Sequence, residues 1–408
     1  MSLDIASSLT LPCGVTAKNR IAKAPMTEGL ADPLNRATER HVRLYRKWAE
    51  GGAGILITGN VQVDRRYLER PGNVVIDQNG GLEELRAFAA AGTANGTLLF
   101  MQINHAGRQT PVRVNPTPVA PSDVALALPG NAFGAPRALL SDEIEDIIRR
   151  FIRVAEVAKE TGFSGVQVHA AHGYLISEFL SPLANRRDDE WGGSLENRAR
   201  LLRRVVQGIR TRVGADYPIS VKLNSSDFQK GGFDLEDCLQ VARWLEEDSV
   251  DLLEISGGNY ENPAMMIGVR GAEEIRETTV TREAYFLDYA KSIRAATKIP
   301  LMVTGGFRSR AAMDAALEGG DVDVIGIGRP MCVDPDVPNA LLASREAGAV
   351  SYEATIKPSK AGLGWFCLNL IRLADDQEPD REMAGADAIT AYLANEDATA
   401  AALEDFKI

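Results

Sequence analysis

The chain has 408 residues, 45% of them apolar, and a formal net charge of −11, which suits one large barrel or two ordinary domains around a sizeable core. Such an acidic balance excludes the electrostatic footprint of a nucleic-acid or anionic-membrane binder, so small molecules are the expected partners. Met1 to Thr10 has no basic start followed by an apolar run, no later stretch offers the ~18 apolar residues of a bilayer span, and Cys13, Cys238, Cys332 and Cys367 show no C-x-x-C spacing. The expectation is a soluble, cytoplasmic protein with reduced thiols and neither a zinc nor an iron–sulfur site.

Short β-branched runs alternate with longer amphipathic segments along the chain. The predicted strands are Ile21 to Met26, Gly54 to Val61, Thr97 to Asn104, Gly165 to Ala170, Ile219 to Asn224, Leu252 to Ser256, Pro300 to Gly305 and Val322 to Gly328. Eight is the number a (β/α)8 TIM barrel needs. Leu98 to Met101 and Val322 to Ile327 read as near-continuous apolar runs, the pattern of strands covered on both faces. A doubly wound sheet gives the same local pattern, but no G-x-G-x-x-G follows the first strand, and the count of units favours the barrel. Between the strands, Ser141 before Asp142 and Glu143, Ser194 before Glu196, and Asp234 before Glu236 and Asp237 mark helix starts with acid in the first turn.

Residues 1–350 form the barrel in this reading, with two excursions. Arg108 to Leu140, rich in Pro, Gly and Asn, is long for a βα connection and is expected to cap the third strand as a lid. Gly257 to Val280, with Met265, Met266 and Arg270, is the second, and both should set substrate choice. From Ser351 to residue 408 the chain turns Ala-rich and acidic, with helical spacing from Ala388 to Phe406. A C-terminal helical extension is expected there, packed on the barrel or on a second subunit of a homo-oligomer.

Chemistry in such a barrel collects at the carboxyl ends of the strands. The fourth strand runs straight into His169-Ala-Ala-His172-Gly-Tyr174, two imidazoles and a phenol able to hold a carbonyl oxygen and deliver a proton beside it. The plainer alternative is two satisfied polar residues at a strand end and a partly buried aromatic at a helix start. With only four histidines in the chain, two placed three residues apart here favour the chemistry. Spacing alone does not bring Tyr174 to the same point.

The seventh strand ends in Thr304-Gly305-Gly306-Phe307 and the eighth in Gly326-Ile-Gly328-Arg329-Pro330. Glycines that admit close backbone approach on consecutive strands, each ahead of a helix, suit a phosphate better than two unrelated tight turns. Strand one ends in Ala24-Pro25-Met26-Thr27, strand two in Thr58-Gly59, strand three in Met101-Gln102 and strand five in Val221-Lys222-Leu-Asn224. A flavin pyrimidine gains negative charge on reduction and would be served by a hydroxyl at Thr27, an amide at Gln102 and a cation at Lys222. Each has a structural alternative: Thr27 as a helix cap, Gln102 as a partner for nearby backbone, Lys222 as an ion pair with a buried acid such as Glu254.

Pro25-Met-Thr, Gln102-Ile-Asn-His-Ala-Gly-Arg108, His169 to Leu175, Asn185 to Arg198 and Gly328-Arg-Pro330 together resemble the old yellow enzyme family, in the family's order, across residues 5 to 350. The resemblance implies an FMN-dependent NAD(P)H oxidoreductase acting as an ene-reductase. NADH or NADPH would give hydride to flavin N5, and reduced FMN would pass it to the β-carbon of an alkene activated by a carbonyl or nitro group. It implies that Pro25, Met26, Thr27, Gly59, Gln102 and Lys222 hold the isoalloxazine, and that Gly305, Gly306, Gly328 and Arg329 cradle the phosphate. His169 and His172 would donate to the acceptor's oxygen, and Tyr174 would protonate the α-carbon.

Three departures stand beside the match. Lys222 occupies a position where many relatives carry arginine, which supplies charge without the planar fork. Thr27 stands where relatives vary between cysteine and threonine. The iron–sulfur segment and further nucleotide-binding domains of longer relatives are missing, so electrons are expected directly from nicotinamide. Other readings keep the barrel and FMN but catalyse demethylation or dehydrogenation, or use the phosphate loops in a flavin-free lyase or isomerase. A non-catalytic flavin-binding protein has only the lid and the acidic tail in its favour.

Overall fold

In the computed structural model, residues 3–128, 130–261, 287–344 and 347–404 are described. Eight strands carry the architecture: β1 (Ile21–Lys23), β2 (Ile55–Gln62), β3 (Leu98–Asn104), β4 (Gly165–Ala170), β5 (Ile219–Asn224), β6 (Leu252–Ser256), β7 (Leu301–Thr304) and β8 (Val324–Ile327). Each pairs in parallel with the next, and β8 pairs back to β1, with Ile325 opposite Ile21. The sheet is closed, so the predicted (β/α)8 barrel is the observed one. β1 stops three residues short of the predicted Met26, because Pro25 has no N–H to give a ladder.

Inward-facing positions alternate along each strand and stack in layers. The lowest layer is apolar, with Ala22, Ile57, Phe100, Leu252, Met302 and Val324 packed together. An antiparallel hairpin, Leu9–Thr10 with Thr16–Ala17, covers this end and adds Leu9, Leu11 and Ala17 to the same cluster. Two residues further along the strands the interior turns polar, at Gln102, Gln167, Lys222, Glu254 and Thr304. That change of layer marks the functional end.

Helices cover the outside and bury the larger core. α1 (Glu39–Glu50) and α2 (Leu82–Gly92) bring Leu44, Tyr45, Trp48 and Phe88 into that core. α3 is Ser141–Glu160, α4 Leu175–Leu180, α5 Leu195–Val213 and α6 Leu235–Glu247; α7 (Arg310–Glu318) and α8 (Val337–Ala343) follow β7 and β8. Ser194 and Asp234 cap as predicted, accepting the N–H groups of Asn197 at 3.3 Å and Asp237 at 3.1 Å. Ser141 does not. It is already helical, and the Glu143 carboxylate reaches back to the Leu140 N–H at 2.8 Å, so the acid three residues on satisfies the helix start.

Among its described residues, the Arg108 to Leu140 excursion holds a two-residue parallel pair, Val119–Ala120 with Arg137–Ala138, and an antiparallel bridge between Pro111 and Phe133. Arg187 pins it by donating to Leu139 O at 2.6 Å and Pro121 O at 3.0 Å. The polar loop before α5 is thus a strut for the lid. In the second excursion, residues 262–280, with Met265, Met266 and Arg270, lie outside the described residues. Past residue 351, α9 (Gly362–Ala374) and α10 (Gly385–Glu404) form the C-terminal helices. Arg40 grips Asp375 through paired bonds of 2.6 and 2.8 Å, and Lys47 holds Asp376 at 2.6 Å, which seats the extension on α1 of its own barrel. Among the described residues no helix is long and apolar enough to cross a membrane, and no group of three or more His, Cys, Asp or Glu could hold a metal.

Candidate active site

β4 brings His169 to its carboxyl end, and the turn that follows carries the other two candidates. His172 has φ +63° and Gly173 φ +79°, a left-handed pair that turns the chain before α4 begins. A Cβ on Gly173 would meet Gln109 Oε1 at 2.7 Å and the Asn259 Cβ at 2.9 Å, so glycine is what fits there. The three side chains converge: the His169 ring lies 5.2 Å from the His172 ring and 4.8 Å from the Tyr174 ring.

Burial, reinforced by His172 and the Lys222 cation, holds His169 well below the ordinary imidazole range. Burial and Lys222 do the same to His172. Both rings are therefore neutral at pH 7, with one N–H each. The Ala171 N–H donates to His169 Nδ1 at 3.3 Å, which leaves the proton on Nε2. His172 Nε2 sits 2.6 Å from Ser256 Oγ, and its backbone N–H donates to Asn224 Oδ1 at 3.2 Å. Tyr174 stays a phenol, raised well above its ordinary value by burial first, then by the Glu69 carboxylate and Tyr260. Its hydroxyl shares a 3.0 Å hydrogen bond with that of Tyr260.

The polar layer beneath is a connected network. Gln102 Nε2 donates to Gln167 Oε1 at 2.8 Å, and Gln167 Nε2 donates to Glu254 Oε2 at 2.9 Å. Thr304 Oγ1 donates to Glu254 Oε1 at 2.7 Å, and Lys222 Nζ lies 2.9 Å from the same oxygen. The register places Lys222 directly opposite Glu254 across β5 and β6. The ion pair expected as one reading of Lys222 is therefore present. Thr27 caps no helix; its hydroxyl donates to Glu69 Oε2 at 2.8 Å. The Gly59 N–H donates to Glu28 Oε1 at 2.8 Å, and a Cβ there would meet Met26 O at 2.6 Å. Glycine at 59 lets β2 pass close beside the Pro25 to Glu28 segment.

A cavity of about 890 Å³ opens above these residues, within the range of small-molecule sites. Of the predicted residues, Met26, Thr27, His172, Tyr174 and Arg329 line it. Pro25, Gly59, Gln102, His169, Lys222, Gly305, Gly306 and Gly328 are not on its lining, although the His169 ring touches those of His172 and Tyr174, which are. Glu69, Arg70 and Tyr260 also line it and were not singled out from the sequence. Tyr260 fell within an excursion expected to set substrate choice, while Glu69 and Arg70 carry no recognisable motif.

The phosphate end fits its guest. Gly305 and Gly306 have φ +111° and +88°, a backbone that side chains resist. A Cβ on Gly328 would meet nothing nearer than Met26 Sδ at 3.9 Å. The neighbouring Arg329 guanidinium is about one-third exposed and 3.7 Å from Glu353. Open backbone with a cation beside it suits a phosphate, and Met26 and Thr27 line the same cavity, with the Thr27 hydroxyl held by Glu69 and the Gln102 amide in the layer beneath. A closed barrel whose mouth fits FMN in this way defines a flavin oxidoreductase.

Comparison with known proteins agrees. Residues 10–347 match the NADH:flavin oxidoreductase / NADH oxidase family. The chain is 35% identical over 379 residues to the NADH-dependent flavin oxidoreductase iccE of Talaromyces variabilis, covering 88% of this chain and 91% of that protein. It is 38% identical over 363 residues to the NADH-dependent flavin oxidoreductase iliE of Neonectria sp. (strain DH2), covering 84% of this chain and 47% of that protein, so it spans about half of that relative. The structure of an old yellow enzyme homologue from Zymomonas mobilis aligns with a TM-score of 0.70 at 27% identity, over 86% of this chain and 96% of that one. The chain belongs to the NADH:flavin oxidoreductase / NADH oxidase family, the old yellow enzymes, with FMN as cofactor and NADH or NADPH as electron donor.

Proposed function

We propose that the protein reduces alkenes conjugated to a carbonyl or nitro group. The observation that carries this is the convergence of two neutral imidazoles and one protonated phenol at the end of β4. FMN, when bound, supplies two-electron transfer from the nicotinamide to the acceptor. The protein's own groups then serve the acceptor. Its oxygen gains negative charge as the double bond is lost, and the N–H groups of His169 and His172 stabilise that charge without a proton having to move. Tyr174, kept protonated by its burial, gives its proton to the α-carbon.

The test separates the two half-reactions in rapid-mixing experiments. Tyr174→Phe is expected to slow alkene reduction by about 100-fold or more, while flavin reduction by nicotinamide changes by no more than about twofold. Equal loss in both halves would remove Tyr174 from the acid role and the reading with it.

A further inference from the structure

The cavity extends well past the three catalytic candidates. It continues between the lid and the C-terminal helices, where Phe366 and Leu370 of α9 and Tyr392 and Leu393 of α10 line it. Two leucines on this wall are uncovered: Leu363 is 55% exposed and Leu393 45%. Large apolar side chains held open to solvent on a pocket wall mark a surface made for an apolar guest.

The buried charges at this end are already paired. Arg70 Nη2 and Glu396 Oε1 are 2.7 Å apart with both side chains under 10% exposed, and the Arg70 guanidinium lies 5.2 Å from the centre of the Tyr392 ring. The same guanidinium donates to Thr27 O at 2.9 Å. One buried arginine thus ties α10 to the segment that carries Met26 and Thr27. An ionised guest placed beside this neutral pair would lose its hydration without gaining a partner. Arg113 is already paired with Asp397 at 2.8 Å, and Lys360 stands at the exposed edge.

We infer that α9 and α10 form the far wall of the acceptor pocket and select a substrate whose conjugated head carries a long, uncharged, apolar body. This rests on the reading of the pocket as the acceptor site, with the head at His169, His172 and Tyr174. Specificity then resides in a segment that contributes no catalytic residue.

A binding ladder tests it without turnover. Phenol and its 4-ethyl, 4-butyl and 4-hexyl derivatives offer the imidazoles an oxygen and differ only in chain length. Their affinities for the holoenzyme are read from perturbation of the flavin absorption. Each added methylene is expected to tighten binding about two- to fourfold. In the double variant Leu363→Ser/Leu393→Ser, whose sites are exposed so that folding is not at stake, the gain per methylene should fall by about half or more. A hexyl chain ending in a carboxylate should bind more weakly than the plain hexyl chain. A flat ladder in the wild type, no measurable binding, an unchanged ladder in the variant, or tighter binding of the carboxylate each overturns the inference. The reaction reading fails separately: a protein that shows the ladder but reduces no conjugated alkene keeps its apolar wall and loses the proposed chemistry.

Discussion

The phenolic hydroxyls of Tyr174 and Tyr260 lie 3.0 Å apart, joining the end of β4 to the excursion that follows β6. The Tyr260 ring also lies 6.0 Å from Phe133 of the lid. Tyr260 therefore holds the hydroxyl of the proposed acid from the second excursion. Tyr260→Phe should slow alkene reduction by about tenfold, the worth of one buried hydrogen bond, against the larger loss in Tyr174→Phe. Rapid-mixing rates for the two half-reactions check the ranking, and a Tyr260→Phe loss as deep as that of Tyr174→Phe would reverse the assignment of the acid.

Lys222 and Glu254 face each other in the barrel interior, 4% and 0% exposed. Removing the cation strands a carboxylate in a dry layer. Lys222→Met should lower stability by about 3–5 kcal/mol, and Lys222→Met/Glu254→Gln should recover most of it. Urea denaturation of the three proteins decides this. No recovery in the double variant would mean that the lysine acts mainly on something other than its pair.

All four histidines sit below their ordinary range, His41 and His105 at about 4 through burial and His169 and His172 for the reasons given above. Unfolded imidazoles gain protons near pH 6.5, whereas the folded ones stay neutral to lower pH. The stability they contribute is complete above 6.5 and falls as pH drops below it, by on the order of 1–2 kcal/mol per histidine at pH 5. Denaturation midpoints at pH 7.5 and 5 measure the drop. The alkene step itself should show no inflection at pH 6.5, since neither donor changes its charge there.

Glu178 gives the opposite slope. Its carboxyl is buried and pushed up to about 8, against the weaker pull of Arg108. The folded state holds a proton that the unfolded state releases near 4.5. Its contribution is therefore complete below 4.5 and lost as pH rises from 4.5 to 8. Glu178→Gln should flatten that part of the stability profile and gain on the order of 1–4 kcal/mol at pH 8 relative to pH 4.5. An unchanged slope in the variant would place the titration elsewhere.

What could be read beforehand follows the range of the interactions involved. Strand number and helix starts at Ser194 and Asp234 rest on contacts within a few residues, and they hold. Ser141 failed as a cap because a reach-back bond from Glu143 replaced it. The meeting of His169, His172 and Tyr174 depended on two consecutive left-handed residues, of which only Gly173 announces itself. Lys222 left two readings open, and the register of β5 against β6 supplies the ion-pair partner that one of them needs. The bond between Arg70 and Glu396 spans 326 positions. No local pattern can announce a partner so distant, so the pocket's outer wall was the part that stayed hidden.

Among the described residues, the hairpin stoppers the barrel's lower end, and the cavity opens at the other. A nicotinamide and an acceptor that both enter by that opening would share the passage beside α10. Each visitor would then have to depart before the next could settle, a relay by turns in which double-reciprocal plots at several nicotinamide concentrations should run parallel and an excess of either partner should obstruct the other.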